Sequence, residues 1–370
     1  MRIDNNTKAF LALLSAGLCE KDVTLSQYGV IDYNKIYQLA EEQSVVGLVA
    51  SGLEHIIDVK VPQDVAFQFV GQTIQIEQRN IAMNGFINTI IEKMRNANIY
   101  TLLIKGQGIA QCYERPLWRT CGDIDFFLNE SNYDASKKLL VPLASYLEKE
   151  YAAEKHLAMT IDCFVVELHG TLRCGLSSRI DKVLDELARS ILNEDKIRPW
   201  LNGNTQIYLL APDEDVVFVF SHILQHFFLG GIGLRQLCDL ARLLWTYKDD
   251  INRDLLYGRL TKMGLMTEWK AFGCVLVDVL GLDEKAMPFY DKSYFGKIKK
   301  ILTYILKVGN FGHNKDNSYQ SMDNTIIRKL KTFFRQAGES IEIMQIFPRN
   351  AIVSLLNYWV IGTKEIVNCE

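Results

Sequence analysis

This chain of 370 residues has little that would pair its cysteines. The eight (Cys19, Cys112, Cys121, Cys163, Cys174, Cys238, Cys274 and Cys369) are scattered, with no C-x-x-C among them. That pattern reads as reduced thiols in a cytoplasm. An excess of one charge is also missing. Forty-one Lys and Arg against 44 Asp and Glu leave a formal net charge of −3, which gives no global signal for a nucleic-acid or membrane coat. Long apolar runs are absent too. AIVSLLNYWVIG (351–362) is too short to span a bilayer. Near the start, AFLALL is a short apolar core, Asp4 stands where a leader would be basic, and no A-x-A site follows. An amphipathic helix fits that stretch better than a signal peptide. A cytoplasmic protein is the expectation, with no internal repeat or low-complexity tract.

What is present is an ordinary globular composition, 48% hydrophobic and 23% charged, long enough for two compact domains or one with extensions. Residues 1–98 carry apolar residues at three- and four-residue steps and read as helical. The stretch IYTLLI (99–104) then changes to a β-rich run. Lys105-Gly106-Gln107-Gly108 breaks it, IAQCYE reads as a short helix, and RPLWRTC leads as a loop to the strand GDIDFFL. YDASKKLLVPLASYLEKE reads as a helix, and KHLAMTIDCFVVELHG (155–170) as two strands reversing near Asp162-Cys163. From about residue 180 onward the pattern is helical again. Pro212 with Asp213 and Glu214 marks one helix start, because proline suits the first turn and acids favour its positive end. The fold class expected is α+β: a small mixed sheet between two helical regions. The segments are 1–98 helical, 99–175 α/β core, 176–290 helical domain and 291–370 basic helical segment. Residues 292–335 hold ten Lys or Arg against Asp316 and Asp323. A solvated face is the plainer reading, and a docking surface for phosphorylated substrate or anionic lipid, a peripheral membrane contact, is the other.

The chemistry concentrates in GDIDFFL. Residues two apart on a strand point the same way, so Asp123 and Asp125 project together while Ile124 and Phe126 face the other side. Two such carboxylates resist burial unless a cation lies between them, and a hard divalent ion suits them. The alternative is a strand end dipping into water. Three neighbours favour the ion. KGQG lies between strand and helix, where backbone N–H groups and the Lys105 charge suit phosphates. Arg115 and Arg119 lie in the connection just before the carboxylates. Glu167 is a lone acid in an apolar strand with His169 two residues on, and a third carboxylate is what two-metal phosphoryl transfer requires.

In this order the motifs resemble the polymerase β-type nucleotidyltransferases. Within that superfamily they are most similar to a bacterial group reading K-G, Tyr-x-x-Pro-x-x-Arg, G-D-I-D and acid-Leu-His. Here these are Lys105-Gly106, Tyr113 to Arg119, Gly122-Asp123-Ile124-Asp125 and Glu167-Leu168-His169. The helix pair HILQH and RQLCDLARLL (222–244) resembles the segment that follows the core in that group, so about residues 30–250 are covered. Two positions depart from the pattern. The superfamily's usual Gly-Gly or Gly-Ser turn is Lys-Gly here, and Gly170 stands where the group often has an aromatic residue.

The resemblance implies transfer of a nucleoside monophosphate from an NTP, with ATP the expected one, to an unidentified acceptor. It implies Asp123, Asp125 and Glu167 as catalytic ligands of Mg²⁺ (or Mn²⁺), and Lys105, Gly106, Gly108, Arg119 and Gly122 as the nucleotide grip. His169 is a candidate substrate contact or a structural group, and Glu167 a candidate base for the attacking hydroxyl. Surface solvation remains open for Lys105 and Arg119. The other reading is a catalytically silent nucleotide-binding or assembly protein, possible in surface-polysaccharide synthesis; nucleic acid is not expected as a partner. His222 and His226 share a helical face without the Glu of H-E-x-x-H, so a packed or hydrogen-bonded pair is favoured over zinc. Arg235 and Asp239, four apart, most simply form an intrahelical pair. Cys121 has no neighbour in sequence that would activate it.

Overall fold

The computed structural model describes residues 4–151, 155–194, 196–310, 338–339 and 341–367, and of 194 and 358–367 only the backbone. Helices α1 (Asn5–Cys19), α2 (Tyr33–Glu42), α3 (Val46–Glu54) and α4 (Gln63–Asn96) form the N-terminal region. Asp4 caps α1 by accepting a 2.8 Å hydrogen bond from the Thr7 N–H, satisfying one of the free donors of the first turn. Helices α1 and α3 cross where glycine faces backbone. A Cβ at Gly17 would lie 1.9 Å from the Leu48 carbonyl, and one at Gly52 would lie 2.0 Å from that of Leu13.

The sheet is mixed and five-stranded, in the order β1-β2-β5-β4-β3. Its strands are β1 (Leu102–Ile104), β2 (Asp123–Phe127), β3 (Tyr146–Leu147), β4 (His156–Ile161) and β5 (Phe164–His169). Only the central β2–β5 pair is parallel; the other three pairs run antiparallel. The β4–β5 reversal falls at Asp162-Cys163 as the sequence suggests. Asp162 adopts φ 54°, a conformation a short polar side chain tolerates without glycine. Between β1 and β2 lie a short helix, α5 (Gly106–Ala110), and a 3-10 turn, Pro116–Trp118. The helix thus starts inside KGQG, earlier than the IAQCYE stretch proposed from sequence.

Two further expectations are corrected. The helix read through YDASKKLLVPLASYLEKE stops at Leu140, as α6 (Glu130–Leu140). Pro142 sits in the 3-10 turn that follows, and the chain then becomes edge strand β3. Proline lacks the N–H that the next helical turn needs. The stretch after residue 180 is not wholly helical either. Beyond α7 (Ser178–Glu194), strands β6 (Ile197–Asn202) and β7 (Thr205–Leu210) form a hairpin turning at Gly203, φ 57°. The two-residue Gly203-Asn204 turn, glycine first, is a hairpin signal that the helical reading passed over. The hairpin packs beside β1, and its Ile207 and Leu209 join the core formed by the C-terminal half of α4 and one face of the sheet.

The remaining helices are α8 (Pro212–Leu229), α9 (Leu234–Thr246), α10 (Arg253–Met263), α11 (Met266–Asp278), α12 (Ile298–Val308) and a last one at Pro348–Val367. Helix α8 begins at Pro212, with Asp213, Glu214 and Asp215 in its first turn. Arg198 of β6 reaches buried Asp215 at 2.8 Å, fixing the start of α8 against the hairpin. Much of the basic segment 292–335, including its polar loop, lies outside the described residues. Among the described residues, no helix is long and apolar enough to cross a membrane.

Candidate active site

Strand pairing brings the acids together. Asp125 is the register partner of Glu167 across the parallel β2–β5 pair, so both project from one face, with Asp123 two residues before on the same side. One oxygen from each of Asp123, Asp125 and Glu167 lies within 4.8 Å of the other two. The opposite face carries Ile124, Phe126, Val166 and Leu168, all buried in the core under α4. Burial of those four residues fixes the register, because a slip of one residue would put the carboxylates into the core.

The cluster carries its own cations. The Lys105 ammonium stands 2.6 Å from Asp125 Oδ1 and 2.9 Å from His222 Nε2. Lys105 reaches this position from a strained backbone, φ 55° and ψ −149°, at the turn between β1 and α5. Strain of that kind costs on the order of 1–3 kcal/mol and is held only by well-packed surroundings. His169 Nε2 lies 2.9 Å from Asp125 Oδ1 and 3.3 Å from Glu167 Oε2. His156 Nε2 lies 3.1 Å from the same Glu167 oxygen, and the two imidazole rings stand 4.7 Å apart.

Protonation follows from these contacts. Burial and the adjacent Asp125 carboxylate push the Asp123 carboxyl above its ordinary value. Burial would raise Glu167 as well, but the two imidazoles and the Lys105 charge hold it well below the usual carboxylate range. His169 shifts up: burial opposes its charge, yet the bonds to Asp125 and Glu167 outweigh that. Lys105 is likewise raised by the surrounding acids against the cost of burial. Burial and the nearby Lys105 charge lower His222 strongly, and the same two causes bring His226 down to about 4.

A cavity of about 420 Å³ opens on this cluster. Lys105, Asp123, Glu167 and the imidazoles form one wall, the loop after β5 from Thr171 to Cys174 a second, and the α8 side chains Phe218, Ser221 and Gln225 a third. The helical region therefore contributes directly to the site. His222 and His226 are a close pair, ring centroids 4.4 Å apart, and they line the cavity rather than sitting wholly within a helical core.

Other residues singled out from sequence take different places. Arg119 is buried, its Nε and Nη2 each 2.7 Å from an oxygen of Asp239, and Nη1 donates to the Thr120 carbonyl. Tyr113 completes the network with a 2.7 Å hydrogen bond to Asp239, where burial and that carboxylate raise its hydroxyl pKa. The intrahelical Arg235–Asp239 pair gives way to this arrangement. Asp239 turns to Arg119, and Arg235 donates to the Thr120 carbonyl at 2.9 Å. Arg115 lies over the Trp118 ring and pairs with Glu54. At Gly108 an added Cβ would meet Leu209 Cδ2 at 2.9 Å, so this glycine lets α5 approach the hairpin. Gly106 begins α5 at φ 43°, and Gly122 lies open beside Asp123, with nothing within 4 Å of an added Cβ. Cys121 is buried and its thiol pushed up, the opposite of an activated nucleophile.

Besides the cavity walls after β5 and on α8, a histidine of the site and an asparagine that braces it escaped the sequence reading. His156 starts β4, and only the pairing His156↔His169 across β4–β5 brings it to Glu167. Asn80, on α4, donates to the carbonyls of Leu117 and Arg119 at 2.7 and 2.8 Å and accepts from Gln107 at 2.8 Å. It ties the long helix to the connection and to α5. Its signal was an amide set between the apolar residues Ile76, Met83 and Ile87 of the buried stripe.

A carboxylate triad on the central strands of a mixed sheet, with Asp123 and Glu167 lining a cavity closed by helices and Asp125 just beneath it, defines a candidate site for a divalent ion and an anionic ligand. The chain belongs to a family of uncharacterised nucleotidyltransferases, whose model matches residues 30–276. That span contains every residue of the site and more than half of the chain. No curated protein and no solved structure matches the chain.

Proposed function

We propose that the protein is a metal-dependent enzyme of the polymerase β type, transferring a nucleoside monophosphate from an NTP, expected to be ATP, to a hydroxyl or amine acceptor. The convergence of Asp123, Asp125 and Glu167 within 4.8 Å carries this reading, together with the family. The donor set fits Mg²⁺ or Mn²⁺, because carboxylate oxygens are the ligands hard cations prefer, and buried like charges need such a partner. A bound ion would neutralise developing charge on the phosphates and ease deprotonation of the acceptor.

The chain's own residues divide the remaining work. Lys105 holds a positive charge at the edge of the acids, where triphosphate oxygens would draw it from Asp125. Gly106 lets the turn lie close against Cys121 and the Asp123 carbonyl, and Gly122 leaves the flank of Asp123 uncovered. His169 bridges Asp125 and Glu167 and fixes how both carboxylates point. Glu167, kept ionised by two imidazoles, suits ligation better than proton abstraction. Arg119, joined to Asp239, holds the connection that leads into β2. The cavity beside α8 has the size of a small-molecule site and would receive the acceptor.

The test is pyrophosphate release from each NTP with Mg²⁺ or Mn²⁺, with Asp125→Asn as control. One observation supports the silent nucleotide-binding reading: Lys105 already supplies a cation to Asp125 at 2.6 Å. Nucleotide binding without pyrophosphate release or self-labelling, under either ion, would decide for that reading.

A further inference from the structure

Glu167 belongs to two ligand sets. Besides its place in the all-oxygen triad, it forms with His156 and His169 a second cluster whose ligand atoms also lie within 4.8 Å of one another. We infer that His156, Glu167 and His169 form a mixed nitrogen–oxygen site for a borderline transition-metal ion such as Zn²⁺ or Co²⁺, beside the all-oxygen position. The inference rests on the transferase reading for its role, as the seat of a second ion, but not for its existence.

Geometry and ligand chemistry carry it. Both imidazoles present Nε2 to the same oxygen, Glu167 Oε2, at 3.1 and 3.3 Å. Ligands about 2.0–2.1 Å from a tetrahedral ion are separated by roughly 3.3 Å, so each imidazole already stands at that spacing from the shared carboxylate oxygen. The three side chains come from adjacent antiparallel strands: His156 faces His169 across β4–β5, and Glu167 lies two residues from His169 on the same face. A sheet holds such a set rigidly. All three line the wall of the 420 Å³ cavity, which leaves coordination positions open toward a ligand.

Imidazole nitrogen favours Zn²⁺ and Co²⁺ over Mg²⁺ and Mn²⁺, which suit oxygen. The two positions flanking Glu167 therefore differ in the ion they select. Asp123 with Asp125 is the hard side, and His156 with His169 the softer one. Substituting one histidine is expected to change metal preference rather than remove all metal binding.

Full-length protein without an affinity tag, titrated with Co²⁺, tests this through the visible ligand-field absorption. The wild type is expected to show the bands of a low-coordinate site, displaced by Zn²⁺ but not by comparable Mg²⁺. His156→Ala is expected to weaken Co²⁺ binding about tenfold or more, by analogy with the loss that even outer-shell partners cause. His156→Gln preserves a hydrogen-bond donor to Glu167 and guards against misfolding, which circular dichroism of each variant checks. Wild-type Co²⁺ affinity in folded His156→Gln would overturn the inference, as would displacement of Co²⁺ by Mg²⁺ as readily as by Zn²⁺. Asp123→Asn separates the two readings, since it is expected to keep the Co²⁺ bands while abolishing pyrophosphate release. Bands without turnover from any NTP leave the metal site standing and remove the transferase reading. Turnover without bands does the reverse.

Discussion

Lys105 Nζ lies 2.6 Å from Asp125 Oδ1, an ion pair in which the carboxylate is 1% exposed and the lysine 15%. A strained turn at the end of β1 thus delivers a cation onto the middle of β2. The pair neutralises a buried acid, and it occupies the edge where an ion and phosphate would meet.

Removing one member should therefore affect both stability and chemistry. Among the described residues, Lys105→Met leaves His169 as the remaining ion-pair partner of Asp125. Loss of one partner from a buried pair costs about 3–5 kcal/mol, and saturating Mg²⁺ should return part of that by binding the acids left uncompensated. Urea denaturation with and without Mg²⁺ measures it. A variant equally destabilised in both conditions would separate Lys105 from the ion site.

Asp125→Asn and Glu167→Gln are each expected to lower pyrophosphate release by on the order of 100-fold or more, because each removes a charge from the proposed ion site. Initial rates with ATP, measured after confirming that each variant is folded, are the check. Near-wild-type rates in either would remove that residue from the catalytic set.

Arg119 and Asp239 form a two-pronged buried bridge with both contacts at 2.7 Å. Arg119→Met should cost about 3–5 kcal/mol by stranding the Asp239 charge, and the double change with Asp239→Leu should recover most of it. A double-mutant cycle in urea measures the coupling. An Arg119 variant of full stability with a raised KM for nucleotide would instead favour the phosphate contact read from sequence.

Gly47 on α3 faces the Trp118 carbonyl, which an added Cβ would approach to 2.1 Å. Backbone cannot swing aside as a side chain does, so Gly47→Ala should cost about 1–3 kcal/mol or more. Thermal melting reads this. The same displacement acts on the connection into β2, so activity should fall with it.

Asp4 titrates at about 2 in the folded chain because Lys35 and the Thr7 N–H stabilise its charged form. Its unfolded value is near 3.9, so the charge contributes stability above about pH 4, and that contribution is lost as pH falls through about 2. Asparagine caps a helix about as well as aspartate. Asp4→Asn should therefore destabilise slightly at neutral pH, by an amount limited by solvent exposure, and match the wild type near pH 2. Denaturation midpoints across that range decide it.

Much of the sheet was legible in the chain. The switch of period from helical to alternating, the glycines of KGQG and the reversal before VVELH marked β1, β2, β4 and β5, because burial on one face imposes a pattern that sequence records directly. Pro142 and Gly203-Asn204 were legible too and were misread, since longer helical patterns around them dominated. His156 is another matter. It lies far from Asp125 in sequence, and no local pattern says which strand will lie beside β5.

By itself the sequence determined the local elements around the acids and the pairing of Asp123 with Asp125 on one face, since a two-residue period requires it. Only the tertiary structure decided the cations that face those acids. His156, His169 and Lys105 converge because β5 lies between β2 and β4, and because α5 and α8 close over the sheet. Arg119 carries a charge that the sequence leaves open between phosphate and solvent. The fold buries it on Asp239 instead, because a guanidinium in that interior must find a carboxylate, and α9 supplies one.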